Sequence, residues 1–341
     1  MSERIASYLR SNAPDARVRL GLISNPLAKT NWRSVAHARL CKLVDDPSMA
    51  ISTNSVEEVP RALERLLFEE GCNVLAVNGG DGTIHGVVQA AIELLESRSN
   101  DGVTLPLPIF LLLNGGGMNM LARTFDTRGH PVKTLRRFLE RFSGASLGAL
   151  TLRHTSLVEV HEPDGHVRHG FIFGSELVLN ALTMYERFGQ GYRGLARLFG
   201  AIGAGAVFET DLWRRFGHLL EPPTTPLVVD GVVRSPYSCV VISTVPLTLL
   251  LGLVQTLKRR ARPRKLEGLI IEETDPFKVI SMIPALLFGR AHAQVRPVEE
   301  ALEVKLHGPY TLDGERFTHV AAGAPIRVCG SSRGFRALWL G

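Results

Sequence analysis

The chain has 341 residues, more than one hydrophobic core ordinarily holds, so two domains are expected. Hydrophobic residues make up 45% and charged residues 21%, which excludes a disordered chain, and the net charge of +6 is modest. The four cysteines (Cys41, Cys72, Cys239, Cys329) are far apart and form no CxxC pair. That pattern fits reduced thiols in a cytoplasmic protein, with no disulfide framework or zinc site. Met1 to Arg19 mixes charges throughout and lacks the apolar run of a signal peptide.

Val18 to Ser24 is an apolar run that ends in the turn signal Asn25-Pro26, and it reads as a buried strand. Ser55-Val56-Glu57-Glu58 has the pattern of a capping box, opening a helix that runs to about Glu70 and stops at Gly71. Pro60 sits early in that helix and costs it regularity. Val74 to Val77 is the next strand and Ile84 to Leu95 the next helix. Ile109 to Leu113 is a third apolar strand, running into Asn114-Gly115-Gly116-Gly117 and then a helix. Strand, turn and helix repeated in this way predict a doubly wound, mostly parallel α/β sheet with helices on both faces. The two Gly-rich turns then lie at the same C-terminal edge of that sheet, where ligands bind in such folds.

Near residue 145 the pattern changes. Leu157 to Val160 and Val167 to Phe173 flank the turn Glu162-Pro163-Asp164-Gly165, and Leu227 to Val233 carries Asp230-Gly231 as a two-residue turn. Further strands are expected at Ser238–Ser243, Leu302–Leu306 and Ile326–Val328, with a helical stretch around Leu177 to Phe208. The second domain is therefore β-rich. The organisation is residues 1–145, joined by a returning segment at about 325–341, and residues 146–324. Val240 to Leu257 is apolar but broken by Pro246 and polar residues, so it reads as a buried strand followed by an apolar helix or loop, since a bilayer span takes ~20 cleaner residues. Directly after it, Lys258 to Lys265 places six cations in eight residues. An apolar segment beside a basic cluster suits the surface of an anionic membrane, and a solvated loop is the alternative that Pro263 favours. No aromatic stacking pattern accompanies the cations, so nucleic acid is not the expected partner.

The chemistry concentrates at Gly79-Gly80-Asp81-Gly82-Thr83. Glycines at a strand exit let phosphate oxygens approach the backbone, and the N–H groups of the following helix face the anion. Thr83 is suited to cap that helix, and Asp81 places a carboxylate there, as a base or a Mg²⁺ ligand. A tight turn with an Asp cap needs no ligand and is the competing reading. The chain has no GxxxxGK[ST] sequence, which excludes a P-loop, and Gly174-Ser175-Glu176 lacks the GxSxG of a hydrolase elbow. His161, His166 and His169 suggest a metal cluster. His166 and His169 stand an odd number apart on a hairpin, however, and so face opposite sides. His85, in the first helical turn, reads as a polar surface residue, with ligand contact as the alternative. Tyr185 to Phe208, with Arg187, Arg193 and Arg197 among apolar residues, reads as a lipid-accepting wall or as core packing with snorkelling arginines.

Four separated elements resemble the diacylglycerol kinase catalytic-domain family, which includes bacterial lipid kinases and sphingosine and ceramide kinases. Asn25-Pro26 looks like its NPxSG loop, Val77 to His85 like its GGDGT signature, Gly116 to Arg123 like its GTGNDxAR turn, and Leu312-Asp313-Gly314-Glu315 like its late DGE motif. The resemblance implies a nucleotide held between an α/β domain and a β-sandwich domain, and transfer of phosphoryl from ATP to a lipid hydroxyl with Mg²⁺. It places Asp81, Gly79, Gly80, Gly82 and Thr83 at the phosphates, with Asn25 and Lys29 in the first loop and Thr53 near the nucleotide. Gly116 and Asn119 would buttress the site, and Asp313 and Glu315 would approach the metal. Asp81 is the expected base, with Asp313 second. The chain departs from the family's pattern at Gly86 (usually Glu), Gly117 (usually Thr), Met120 (usually Asp) and Ala28-Lys29 (usually Ser-Gly). A late acidic cluster that binds a structural Mg²⁺ in many bacterial members is reduced to one acid in Lys265-Leu266-Glu267-Gly268. Losing the acid at position 120 opens a second reading, a nucleotide or lipid sensor of the same fold. A kinase for a soluble acceptor such as NAD is a third, since NAD kinases share a GGDGT turn.

Overall fold

The computed structural model describes residues 3–28, 31, 35–99, 103–117, 119–125, 127, 129–187, 222–249, 254–257, 264–275, 278–279, 282, 293–318 and 324–340. Lys29, most of Tyr185 to Phe208 and Lys258 to Pro263 lie outside them. The chain divides into two compact units, Met1–His154 with Arg333–Gly341, and Thr155–Ser332.

The first unit runs α1 (Glu3–Ser11), β1 (Leu20–Ser24), α2 (Ala36–Cys41), β2 (Ala50–Ser52), α3 (Val59–Glu64), β3 (Val74–Gly79), α4 (Asp81–Arg98), β4 (Ile109–Asn114), α5 (Met120–Thr124) and α6 (Pro131–Phe142). The strands pair in parallel in the order β2-β1-β3-β4, with Leu22 opposite Ala50 and Ala76, and Ala76 opposite Leu111. The continuous apolar runs follow from burial on both faces, which parallel sheets require. Leu22, Ala76, Leu111 and Leu113 pack on one face against Leu40 of α2 and Leu135 and Phe138 of α6. Residues of opposite parity, such as Ile23, Val77 and Leu112, are also fully buried, as are Ile84, Val88 and Ile92 of α4. Near the end of the chain, Ala337 pairs in parallel with Phe110 of β4, and Phe335 stacks on Phe110 with ring centroids 4.8 Å apart.

The capping box expected at Ser55 is rearranged. Val56–Glu58 forms a 3₁₀ turn, Ser55 makes no side-chain cap bond, and the Glu58 carboxylate accepts the N–H of Asn54 (2.8 Å). Pro60, without an N–H, falls in the first turn of α3, where that donor is dispensable. The helix then widens into a π-helical turn over Arg65–Glu69 and ends at Gly71 (φ 64°).

The second unit contains β5 (Leu152–His161, from Thr155), β6 (Val167–Gly170), β7 (Ile172–Gly174), α7 (Glu176–Arg187), β8 (Leu227–Val229), β9 (Val232–Arg234), β10 (Cys239–Ser243), β11 (Leu247–Leu249), β12 (Val254–Leu257), β13 (Leu266–Ile271), β14 (Val295–Ala301), β15 (Glu303–Leu306), β16 (Tyr310–Leu312), β17 (Glu315–Phe317) and β18 (Ile326–Leu338, to Ser332). One antiparallel sheet has the order β14-β13-β10-β7-β16-β17. A second face is built by the β5–β6 hairpin and by β18-β15-β8-β9. Val158, Val160, Val304, Leu306 and Val328 of that face pack on Phe173, Ile242, Ile270 and Leu312 of the first, which makes a sandwich core. Asp230 and Gly231 both have positive φ, as a two-residue hairpin turn demands. The expected helix or loop after Val240 is instead the hairpin β11–β12, within a segment rich in Leu, Val and Thr.

Leu111 sits at the middle of β4 with no exposed surface. Leu111→Ala should destabilise the first unit by about 2–5 kcal/mol, measured by urea unfolding.

Candidate functional site

Two strand exits carry the Gly-rich turns, and they meet backbone to backbone. Gly115 N–H donates to the carbonyl of Gly79 (3.1 Å). A Cβ on Gly116 would overlap the Cα of Gly80, one on Gly115 would lie 2.6 Å from Asn78 Oδ1, and one on Gly79 would strike Thr83. Glycine is required here by close approach, and the extended backbone of Gly80 (φ −86°, ψ −177°) needs no special residue.

Asp81 begins α4 and reaches across to the other turn. Its Oδ2 accepts the N–H of Met120 (3.1 Å) and its Oδ1 that of Leu121 (3.0 Å), so it caps α5 from a different element. Asn119 completes the turn in the left-handed conformation (φ 52°), accepting Gly116 N–H at Oδ1 (2.8 Å) and donating from Nδ2 to Gly116 C=O (2.9 Å). Asn suits this position because it tolerates positive φ and offers one donor and one acceptor side by side. Met120 contributes its main chain to the junction.

Thr83 does not cap α4. Gly80 is the N-cap residue and, lacking a side chain, makes no side-chain cap bond. The Thr83 hydroxyl instead accepts Asn25 Nδ2 (3.2 Å), tying the loop after β1 to the first turn of α4, where Gly82 also sits. Asn25 N–H in turn donates to Asn78 C=O (2.9 Å). Thr53 is buried just beyond β2, its N–H bonded to Ser24 C=O (3.0 Å). The structure thus gathers Asn25, Gly79, Gly80, Asp81, Gly82, Thr83, Gly116 and Asn119 along one sheet edge, with Thr53 beside Ser24.

A polar network beneath this edge was not read from the sequence. Asn78 Nδ2 donates to Ser24 Oγ (2.8 Å), His37 Nδ1 lies 2.8 Å from the same oxygen, and His37 Nε2 lies 3.2 Å from Ser52 Oγ. Ser24 and Ser52 end their strands, and polar residues closing apolar strands are the signal that marks them. Cys41 Sγ stands 4.0 Å from His37 Nε2, with burial pushing its thiol up. His85 is buried and not a surface residue: α4 turns that position inward beside Ile84 and Val88. Gly86 faces Val56, 3.6 Å from where a Cβ would stand.

Asp313 and Glu315 belong to the second unit. Asp313 (φ 55°) and Gly314 (φ 92°) form the turn between β16 and β17. The buried Asp313 Oδ1 accepts the N–H groups of Phe171 and Ile172, each at 2.9 Å, where the chain leaves β6 and enters β7 in another sheet. The single strand expected over Val167 to Phe173 is broken at this bond. Glu315 is exposed.

An α/β unit with paired glycine turns, followed by an antiparallel sandwich, defines the diacylglycerol kinase-like fold. Residues 19–148 match the diacylglycerol kinase catalytic domain. Similar solved structures include a candidate diacylglycerol kinase from Bacillus anthracis str. Sterne, 14% identical, covering 94% of this chain and 97% of that one with a TM-score of 0.62. A structure of a diacylglycerol kinase from the same organism is 12% identical and covers 94% of this chain and 96% of that one with a TM-score of 0.58. At this identity the likeness is one of fold. No curated protein matches the chain. The matched stretch and the fold are thus similar to those of a lipid-kinase family.

Asp81→Ala leaves two backbone N–H groups of α5 without their acceptor. It should cost the first unit about 1–3 kcal/mol, seen as a lower urea midpoint, with Asp81→Asn losing less because one amide oxygen still accepts.

Proposed function

We propose that this protein is an ATP-dependent lipid kinase that transfers the γ-phosphoryl group to the hydroxyl of a diacylglycerol- or sphingoid-like lipid. The observation that carries the reading is the glycine-on-glycine junction at the N-terminus of the 18-residue helix α4, whose N-cap residue, Gly80, has no side chain to cap it. Such a terminus fits phosphate oxygens: glycines let an anion approach the main chain, and the first N–H groups and the dipole of a helix favour negative charge.

In this reading Gly79, Gly80, Gly82 and Thr83 line the phosphates and Asn25 fixes Thr83, with Lys29 as a point charge in the same loop. Gly116 and Asn119 set the second wall, and Thr53 lies towards the nucleotide. Asp81 takes the proton of the lipid hydroxyl as its oxygen bonds to phosphorus and the bond to the ADP oxygen breaks. Asp81 accepts the N–H groups of Met120 and Leu121, and a carboxylate offers about four lone-pair sites in all. Asp313 is the alternative base. Mg²⁺, when bound, neutralises charge on the phosphates. Asp313 and Glu315 are the residues that would hold it. Of the two, Glu315 is the exposed acid, while Asp313 Oδ1 already accepts two N–H bonds. Among the described residues no helix is long and apolar enough to cross a membrane. Access to lipid in this reading is peripheral, through the basic segment Lys258 to Lys265.

Met120 motivates the second reading, a nucleotide or lipid sensor, because it gives the junction an N–H and no carboxylate. A soluble acceptor such as NAD is the third. The test is incubation with γ-labelled ATP, Mg²⁺, mixed lipids and NAD. Label is expected in the lipid extract, and Asp81→Ala should abolish it. Because that variant also loses a cap, its fold is checked by circular dichroism. Label on NAD would support the soluble acceptor, and ATP binding without transfer would support the sensor. An unchanged rate in Asp81→Ala would remove Asp81 as base.

A further inference from the structure

Away from the glycine junction, the second unit assembles a mixed set of ligand atoms that cysteine spacing does not announce. Glu159 and His161 alternate on β5, with Val158 and Val160 between and before them pointing into the sandwich core. The two side chains therefore share the outer face of that sheet. Cys329 lies on the outer face of β18, next to the core residue Val328. A carboxylate oxygen of Glu159, an imidazole nitrogen of His161 and the sulfur of Cys329 all lie within 4.8 Å of one another, and all three residues are half-buried. His169, opposite Glu159 on β6 and buried, places Nε2 3.6 Å from Glu159 Oε2.

The geometry of His161 is incomplete as it stands. Its Nε2 is shielded from solvent and only 2.7 Å from Glu159 Oε1, yet the two do not align as a hydrogen bond. A buried ring nitrogen left without a hydrogen-bond partner beside a carboxylate is open to a metal, which on binding would draw this pair apart to about 3.3 Å.

We propose that Glu159, His161 and Cys329 form a binding site for a divalent transition metal of the zinc type. The donor set selects the metal. Thiolate and imidazole are ligands for Zn²⁺ and Co²⁺, whereas Mg²⁺ and Ca²⁺ take oxygen. Ligand atoms around tetrahedral zinc are about 3.3–3.8 Å apart, given bonds of roughly 2.0–2.3 Å. Closing from 4.8 Å asks for about 1 Å of movement, which side-chain rotation supplies. Three protein ligands leave the fourth position to water. His169 stands behind Glu159 as a positioning residue. On binding, the Cys329 thiol gives its proton to solvent and the sulfur bonds the metal.

The full-length chain, stripped of metal with a chelator and titrated with Co²⁺ alone, tests the site. A thiolate-to-cobalt charge-transfer band and four-coordinate visible bands are expected, and Zn²⁺ should displace them. Cys329→Ser should lose the charge-transfer band with an unchanged circular dichroism spectrum, and His161→Ala should weaken binding by about tenfold or more. Absence of the band overturns the proposal. So does a band that survives in Cys329→Ser and disappears in Cys41→Ser, which would move the metal to the His37–Cys41 pair. Should Cys329→Ser fail to fold, alkylation of the unmodified protein decides. Zn²⁺ should protect Cys329 from iodoacetamide, and equal labelling with and without Zn²⁺ overturns the site.

Discussion

The contact between the Gly79-Gly80 and Gly115-Gly116 backbones is the constraint on which the first unit's ligand edge depends. Parallel strands β3 and β4 lie side by side, so their exits would ordinarily crowd one another with side chains. Four glycines remove the side chains, and the carbonyl of Gly79 takes the N–H of Gly115 directly. Only with the turns this close does the short carboxylate of Asp81 reach the N-terminus of α5. The turn itself is then closed by Asn119, and the first loop is fastened by the Asn25–Thr83 bond.

Asp81 holds a structural position and the position proposed for the base. The two are compatible because a carboxylate accepts more than two hydrogen bonds and the backbone N–H groups stabilise its charged form. At position 120 the family's usual Asp would set a second negative charge beside it, and Met120 removes that repulsion while leaving the N–H in place. The change therefore bears on the charge around the reacting groups and leaves the cap unaltered. It is also why loss of activity in Asp81 variants needs to be read beside stability.

Much of the first unit was legible because its signals are local. The apolar runs Leu20–Ser24, Val74–Val77 and Ile109–Leu113 are buried on both faces and admit few other structures, and the glycines that end two of them mark the ligand edge. What was not legible depends on residues distant in sequence. The Ser55 capping pattern gave way to a 3₁₀ turn in which the Glu58 carboxylate accepts the N–H of Asn54. His85 is buried by the way α4 lies on the sheet, and His37 meets Ser24 and Ser52 only after three segments are folded together. The break between β6 and β7 comes from Asp313, more than a hundred residues away, and the Glu159–His161–Cys329 cluster likewise joins segments that no short motif connects. In the second unit hairpins with Asp-Gly turns announce themselves, whereas the choice of sheet for each strand does not.

The glycine junction also limits how the two turns tolerate change. A side chain added at Gly116 collides with Gly80, and relief would ordinarily come from trimming the opposing residue. Gly80 has nothing left to trim, and the same holds for Gly115 against the Gly79 main chain. The two segments, 36 residues apart in the chain between Gly80 and Gly116, therefore behave as one mutational unit without compensating single substitutions. Close approach therefore holds Gly79, Gly115 and Gly116 to glycine, whereas a Cβ on Gly80 would stand 3.5 Å from the Cα of Gly116, an ordinary contact.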